Sequence, residues 1–574
     1  MNTSTLIPGK DASLESTITT LEDKLQSLGF HLEERSWLNP VDGVWSVHVR
    51  DRDCPLLYSN GKGATRMACL ASALAEFFER LATRYFWTHY YLGPDVAGRG
   101  HVHHPQERWF ALTGKDWPDG LLTPDLQALY NPQNAIAAVS LVDFNSGDSQ
   151  RGICAVPFVC QSDGKTVFFP VNVIGNLYVS NGMAAGNSAP EARTQALSEI
   201  FERAVKSRII SQGLCLPDVP EAVIARYPRI AQGIASLRQA GLGVLVKDAS
   251  LGGHYPVMNI TLLNPQDQGC FASFGAHPRF EIALERALTE LLQGRALDAL
   301  SGFAPPCFDL DETASTTNLE IHFVDSSGVI HWKFLGDAPD HPFVDWNFSD
   351  TTEDDCAWCL ARLHQDGFEV YVADFSHLGN EVCRIVVPGL SEIYPVDDLE
   401  FENNSAANTL RGPILNLVRL DDAECADLLA TLNDLSLADS RPVAALVGLA
   451  ADTDSFWSDL RVGELKTLLA LAVGDEAATL EGCDWILHFD QINPQRRSVY
   501  ACIHNLINLA DIGDTGPYLD ALRLLYGAGA VAQAHALIMQ SDRFMGLDAP
   551  GLALDGCELH HRLMHAYDKL NAAT

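Results

Sequence analysis

Three stretches of the chain place carboxylates where they could work together. They read Ser72-Ala-Leu-Ala-Glu76-Phe-Phe-Glu79-Arg80, Gln195-Ala-Leu-Ser-Glu199-Ile-Phe-Glu202-Arg203 and Arg286-Ala-Leu-Thr-Glu290-Leu-Leu-Gln293. On a helix, positions i, i+4 and i+7 fall within a stripe about 60° wide. Ser72, Glu76 and Glu79 therefore share one face, as do Gln195, Glu199 and Glu202, and again Arg286, Glu290 and Gln293. Leu70, Leu74, Phe77 and Leu81 fall on the opposite side of the first helix, and Ala68, Ala71 and Ala75 flank its acidic stripe. Small neighbours let a ligand approach the carboxylates. Between Met67 and Phe78 almost nothing else is polar, which predicts a helix buried over most of its circumference.

Buried carboxylates need compensation, because an unpaired one costs several kcal/mol. Arg80 and Arg203 can each neutralise one acid. Five acids stand across the three stripes, namely Glu76, Glu79, Glu199, Glu202 and Glu290. Hard divalent cations would resolve the imbalance, and Mg²⁺ typically combines one or two carboxylates with substrate phosphates. Each helix follows a Gly-containing stretch: SNGKGAT (59–65), SNGMAAGNS (180–188) and FGAHP (274–278). These read as turns whose following helix N-termini offer N–H groups to phosphate oxygens. Ser188 to Glu191 spells a capping box with Pro190 in the first turn. The pattern predicts a Mg–nucleotide site built by three helices. There is no Walker A motif, since Lys62 lies in G-K-G-A-T, and no G-x-G-x-x-G occurs at a strand–helix junction.

The elements that must position these residues fall into two zones. Residues 1–412 mix β-rich runs (VWSVHV, VFFPVNVIGNLYV, VYVADF, CRIVVPGL) with amphipathic helical patterns, which predicts an α/β (α+β) domain grown from repeated units. GVLVKDASLGG (243–253) also resembles EVYVADFSHLG (369–379). Residues 421–574 are helical in pattern throughout and suggest an array of helix pairs. This second zone carries 23 acids against 9 Lys and Arg, so it reads as a docking or dimerisation surface.

Composition narrows the partners. The 574 residues carry 39 Lys and Arg against 74 Asp and Glu, a net charge of −35. That argues against a nucleic-acid binder, which needs a basic face, and against an anionic membrane surface. It suits a basic protein partner. No apolar run approaches the roughly 20 residues of a membrane span, and the N-terminus lacks the marks of a signal peptide, so a cytoplasmic location is expected. The 14 cysteines are scattered. Cys356-Ala-Trp-Cys359 reads as core packing, since Cys356, Cys359, Leu360 and Leu363 share an apolar face and no second C-x-x-C completes a metal site. His101, His103 and His104 read as loop residues, and His561 and His565 as a solvated or partner-facing pair.

The three glutamate helices, in order, resemble those of the YcaO-domain proteins. In that family S-x-x-x-E-x-x-E-R and E-x-x-E-R helices, followed by an R-A-x-x-E-x-x-Q helix, form an ATP- and Mg²⁺-binding site. The resemblance runs from IPGKD to IVVPGL (385–390). The helical zone resembles the tetratricopeptide-like extension of the stand-alone branch. The resemblance implies that Glu76, Glu79, Glu199, Glu202 and Glu290 hold Mg²⁺. It also implies that Ser72, Asn187, Arg203 and Arg286 contact ATP, with Lys10 and either Ser16 or Thr17. It designates no catalytic residue. The family's chemistry is amide activation by ATP, yielding an azoline or a thioamide. The chain ends Lys569-Leu-Asn-Ala-Ala-Thr574, where several azoline-forming members carry a P-x-P-x-P tail. The stand-alone branch is linked instead to an accessory role in β-methylthiolation of an aspartate on small-subunit ribosomal protein twelve. Expected partners are therefore that basic protein, a methylthiotransferase and a second copy of the chain, as a homodimer through the helical zone. An ATP-hydrolysing enzyme is the leading reading. A cyclodehydratase or thioamide-forming enzyme and a non-catalytic nucleotide-responsive scaffold stand beside it, with a nucleotide-free metal hydrolase last.

Overall fold

Each glutamate helix is the last element of a β-sheet unit. The computed structural model describes residues 5–572. Helix α1 (Leu14–Ser27) precedes an antiparallel meander of β1 (Leu32–Val41), β2 (Val44–Asp51) and β3 (Tyr58–Gly63), which feeds α2 (Arg66–Ala82). A six-stranded sheet follows. It contains β4 (Arg108–Phe110), β5 (Ile153–Cys160), β6 (Thr166–Pro170) and β7 (Met183–Gly186), and β7 leads into α3 (Ala189–Gln212). A third unit, β8 (Gly243–Asp248), β9 (Val257–Leu263) and β10 (Cys270–Ala276), feeds α4 (Phe280–Leu291). The late strands β11 (Tyr371–Asp374) and β12 (Glu381–Val386) return to the six-stranded sheet, between β5 and β7, in the order β4-β5-β11-β12-β7 with β6 paired to β5. The two similar segments noted in sequence hold matching places, since a helix precedes each: Pro228–Gln239 before β8 and Thr352–Gln365 before β11.

The first and third units share one strand–helix contact. A Cβ on Gly61 would lie 2.2 Å from the Cys69 carbonyl oxygen, and one on Gly275 would lie 2.3 Å from the Ala287 nitrogen. Two residues earlier in each strand, Ser59 Oγ donates to the Ala73 carbonyl (2.7 Å) and Ser273 Oγ to the Ala287 carbonyl (2.9 Å). Gly186 likewise packs under α3, where a Cβ would meet the Ala192 nitrogen at 2.5 Å. These contacts correct the reading of the glycines as phosphate-binding turns. Gly61, Gly186 and Gly275 lie within β3, β7 and β10, and their missing side chains bring strand and helix backbones together.

The second zone contains α5 (Asp422–Asp434), α6 (Val462–Val473), α7 (Glu476–His488), α8 (Pro494–Ile512), α9 (Leu519–Tyr526) and α10 (Ala528–Ile538), around Leu428, Leu465, Leu468, Ile486 and Ile503. Its core also takes in Leu410, Ile414 and Leu417, upstream of the expected start at 421. The final helix, α11 (Glu558–Ala572), leaves this core. Leu563, Ala566, Tyr567 and Leu570 pack among Phe30, Phe77 and Trp87 of the first unit. The Trp87 indole donates to the Leu563 carbonyl (3.0 Å), and the Tyr567 hydroxyl to that of Val102 (2.8 Å). Among the described residues, no helix is long and apolar enough to cross a membrane.

Candidate functional site

Helices α2, α3 and α4 line one cavity of about 700 Å³, closed on one side by the start of the chain. Lys10, Thr17, Ser72, Glu76, Glu79, Asn187, Glu199, Glu202, Arg203, Arg286 and Glu290 all border it. Ala68, Ala71 and Ala75 border it too, beside the α2 stripe, while Leu74, Phe77 and Leu81 are buried behind. Ser16 is the exception. It is exposed in the first turn of α1, and its N–H donates to the N-cap Ser13 hydroxyl (3.3 Å). Thr17 turns inward, with Oγ1 2.9 Å from Asn187 Oδ1, so of the two it is Thr17 that borders the cavity.

Glu191 anchors the entrance. Its buried carboxylate accepts from Lys10 Nζ (3.1 Å), the Asp11 N–H (3.0 Å) and Asn187 Nδ2 (3.0 Å). Only half of the expected capping box forms. Ser188 Oγ accepts from the Glu191 N–H (3.2 Å), but the Glu191 side chain holds the N-terminal segment instead of reaching back to the cap.

The charge balance differs from the sequence expectation. Arg80 pairs with Glu76 (2.5 Å) and Arg203 with Glu199 (2.6 Å), each one helical turn apart. Two further cations arrive from elsewhere. Arg286 approaches Glu202 (3.8 Å) and donates to Gln195 Oε1 (2.6 Å), and Lys62 from β3 contacts Glu290. Five carboxylates thus meet four cations, and among the described residues no cation forms an ion pair with Glu79. Burial, reinforced by Glu199 and Glu76, raises the Glu79 carboxyl well above its ordinary range. Burial also raises Glu199 against the opposing pull of Arg203. Lys62 is pushed down to about 8 by burial and by Arg286. Among the described residues, no three His, Cys, Asp or Glu side chains converge as a metal cage. Four of the five carboxylates are held on basic partners instead.

The donor set fits a magnesium polyphosphate. Carboxylate oxygens suit a hard divalent cation, and three arginines with a lysine suit phosphate oxygens. The volume lies within the roughly 300–1,000 Å³ of small-molecule sites.

Sequence reading missed four contributors. Lys62 was visible, but only as a failed Walker motif. Glu191 was read as a cap. Asn181 accepts from Arg203 Nη1 (3.3 Å) and donates to the Ser391 carbonyl (2.8 Å). Arg384 on β12 is buried and donates to the carbonyl of Val179, which holds φ +50° at the end of a π-helical turn. Burial lowers Arg384 to about 10 against the raising effect of Tyr85, Glu79 and Glu199. Asn181 lay within the quoted SNGMAAGNS stretch but was read only as part of a turn, and no local pattern could have found Arg384, because strand pairing with Met183 across some 200 residues brings it there.

The discounted motifs lie elsewhere. Cys356 and Cys359 are buried in core packing with Leu363. His103 Nε2 lies 3.3 Å from Asp143 and His104 Nε2 2.8 Å from the Asp374 carbonyl. His561 and His565 are exposed.

Comparison with known proteins shows which family the sequence matches. Residues 60–391, more than half of the chain, match the family model described as YcaO cyclodehydratase, ATP- and Mg²⁺-binding, and residues 407–574 match the YcaO cyclodehydratase C-terminal domain. The chain is 48% identical over 578 positions to the ribosomal protein S12 methylthiotransferase accessory factor YcaO of Escherichia coli, covering 100% of this chain and 99% of that one. A Haemophilus influenzae protein is 45% identical over 581 positions, with the same coverage of both chains. Among solved structures, a YcaO from Methanopyrus kandleri bound with AMPPCP and Mg²⁺ covers 66% of this chain and 92% of its own, at 18% identity and a TM-score of 0.39. With its glutamate helices gathered on one cavity and both family models matched in order, the chain belongs to the YcaO family.

Proposed function

We propose that this chain binds ATP with Mg²⁺ in the three-helix cavity and serves as an accessory factor in β-methylthiolation of an aspartate on ribosomal protein S12. The convergence of three glutamate helices with four cations on one cavity carries the nucleotide half. The full-length likeness to the Escherichia coli factor supports the S12 half.

The residues divide the work by charge. Glu76, Glu79, Glu199, Glu202 and Glu290 hold Mg²⁺. Arg203 and Arg286, with Lys62 and Arg80, offset phosphate charge, the kind of pre-set electrostatics that phosphoryl transfer needs. Lys10, Thr17, Ser72 and Asn187 contact the nucleotide, and Glu191 holds Lys10 and Asn187 in place. ATP supplies a transferable phosphoryl group that activates an amide or carboxyl oxygen, so the chain acts as an ATP-hydrolysing enzyme.

The helical unit serves as a tetratricopeptide-like docking module and joins two copies into a homodimer. Exposed apolar side chains on α9 and next to α10 support this: Leu524 is 89% exposed, and Leu525 and Met539 also face solvent. A monomer at every concentration in light scattering would remove the dimer. A ribosomal partner implies the cytoplasm, and the net charge of −35 suits a basic protein and no direct nucleic acid.

Calorimetry with ATP and Mg²⁺ tests the core of the proposal. Glu199→Gln and Glu202→Gln are expected to weaken Mg-dependent binding by at least the roughly 10–100-fold that losing a metal site's outer partner costs. Unchanged affinity in both variants would defeat it. Phosphate release on adding S12 and the methylthiotransferase separates an enzyme from a scaffold.

A further inference from the structure

Segment 307–340 presents an aromatic pair to solvent. Phe308 is 82% exposed and stacks on Trp332, itself 44% exposed, with ring centroids 5.8 Å apart and planes 24° from parallel. Leu310 is exposed beside Phe308 in the chain. Apolar side chains that adjoin one another on the surface mark interaction sites where scattered ones do not, and aromatics dominate the energetics of protein interfaces.

The surroundings are acidic. From Cys307 to Asp340 the chain carries seven carboxylates and one lysine. Asp309, Asp311 and Glu312 follow Phe308 directly and are exposed, and Asp337 is exposed after Trp332. The one lysine, Lys333, is already paired with Asp340 (3.0 Å).

This segment is tied to the cavity through α3. Leu310 and His331 pack against Gly213 at the end of that helix, where an added Cβ would meet them at 3.1 and 3.4 Å. One turn beyond Glu202, the Lys206 ammonium donates to the His322 carbonyl (2.6 Å). The Arg203 guanidinium lies over the Phe323 ring, 4.5 Å from its centroid. Ten residues of α3 separate Arg203 from Gly213, about 15 Å of helix, which about five extended residues of a bound chain would span.

We propose that Phe308 and Trp332, with the exposed carboxylates of Asp309, Asp311, Glu312 and Asp337 close to them in the chain, form the docking surface for a basic protein segment that carries an apolar anchor. The segment's Lys and Arg side chains meet the carboxylates, and its anchor packs on the aromatic pair. This inference rests on the reading of the chain as an accessory factor for a ribosomal protein, and purified S12 is the probe.

Binding of S12 to the full-length chain would be followed by fluorescence anisotropy at 50 and 300 mM salt. Two variants are compared, Phe308→Ser with Trp332→Ala, and Asp309→Asn with Asp311→Asn and Glu312→Gln. The aromatic variant is expected to lose at least tenfold in affinity. The amide variant is expected to lose affinity at 50 mM salt and much of its salt dependence. Both should keep wild-type ATP affinity and unfolding midpoint. Equal binding by wild type and both variants overturns the surface and leaves the proposed function standing. A variant that instead converts a dimer to a monomer in sedimentation overturns it in favour of self-association. Failure of the wild-type chain to bind S12 at either salt overturns both readings.

Discussion

Glu79 sits in the cavity near two other carboxylates, Glu76 and Glu199, and burial raises its carboxyl well above the ordinary value of 4.5. A raised carboxylate stabilises the fold below its unfolded pKa, and that contribution is lost as pH rises through the folded value. The ligand-free chain is therefore expected to lose stability as Glu79 ionises, and Mg²⁺ with ATP to restore it. Two measurements check this. Mg-ATP affinity should fall on acidification, beginning above pH 4.5. Glu79→Gln should raise the ligand-free melting temperature while weakening Mg-ATP. A variant that lowers the melting temperature and leaves Mg-ATP affinity unchanged would show that Glu79 is a structural group and no metal ligand. The place of Glu79 on the cavity face of its helix was legible because helical spacing alone sets which side chains share a face. Lys62 was not, because its partner Glu290 lies on another unit.

The strand–helix pair is the repeated element, and its glycines are its most exacting part. At Gly61 an added methyl would meet backbone, the Cys69 carbonyl, at 2.2 Å. Backbone cannot swing aside like a side chain. Gly61→Ala is expected to cost about 1–3 kcal/mol, the range for overpacking, and to shift α2 away from the cavity. Gly98→Ala, with nothing within 4 Å of its new methyl, should be near neutral. Denaturant melts with nucleotide titration measure both. In sequence these glycines looked like turns because glycine marks either a turn or a close approach of backbones, and only packing tells them apart. The helical stripes read correctly because their 3.6-residue period reports a buried face directly.

At the scale of the whole molecule, the last helix decides what is one folding unit. Buried His560 links three segments. Its Nδ1 accepts from the Ala450 N–H (3.0 Å), and its Nε2 donates to the Tyr91 carbonyl (2.7 Å). Burial pushes it down to about 4 from 6.5. A depressed histidine stabilises the fold fully above its unfolded pKa and less as pH falls toward the folded one. Roughly 3 kcal/mol is therefore expected to be lost between pH 6.5 and about 4. His560→Ala should be less stable at pH 7 by about 1–3 kcal/mol and show a shallower acid loss in urea melts at each pH. Removing residues 557–574 would uncover Phe30, Phe77 and Trp87, which α11 covers. The shortened chain is expected to lose nucleotide binding and cooperative melting, although it keeps every cavity residue. Leu563→Ala or Leu570→Ala alone should cost about 2–5 kcal/mol.

Residue order by itself determined the glutamate stripes, the two compositional zones and the acidic character. Each is local or additive, set by helical periodicity or by simple counting. Tertiary structure decided the rest. It brought Lys62 to Glu290 and Arg286 to Glu202, turned Thr17 and not Ser16 toward the cavity, set Arg384 against the Val179 carbonyl and sent the last helix back to the first unit. Those outcomes depend on which distant segments share a core. Apolar burial is non-directional, so a hydrophobic face announces that it will be covered without naming what covers it.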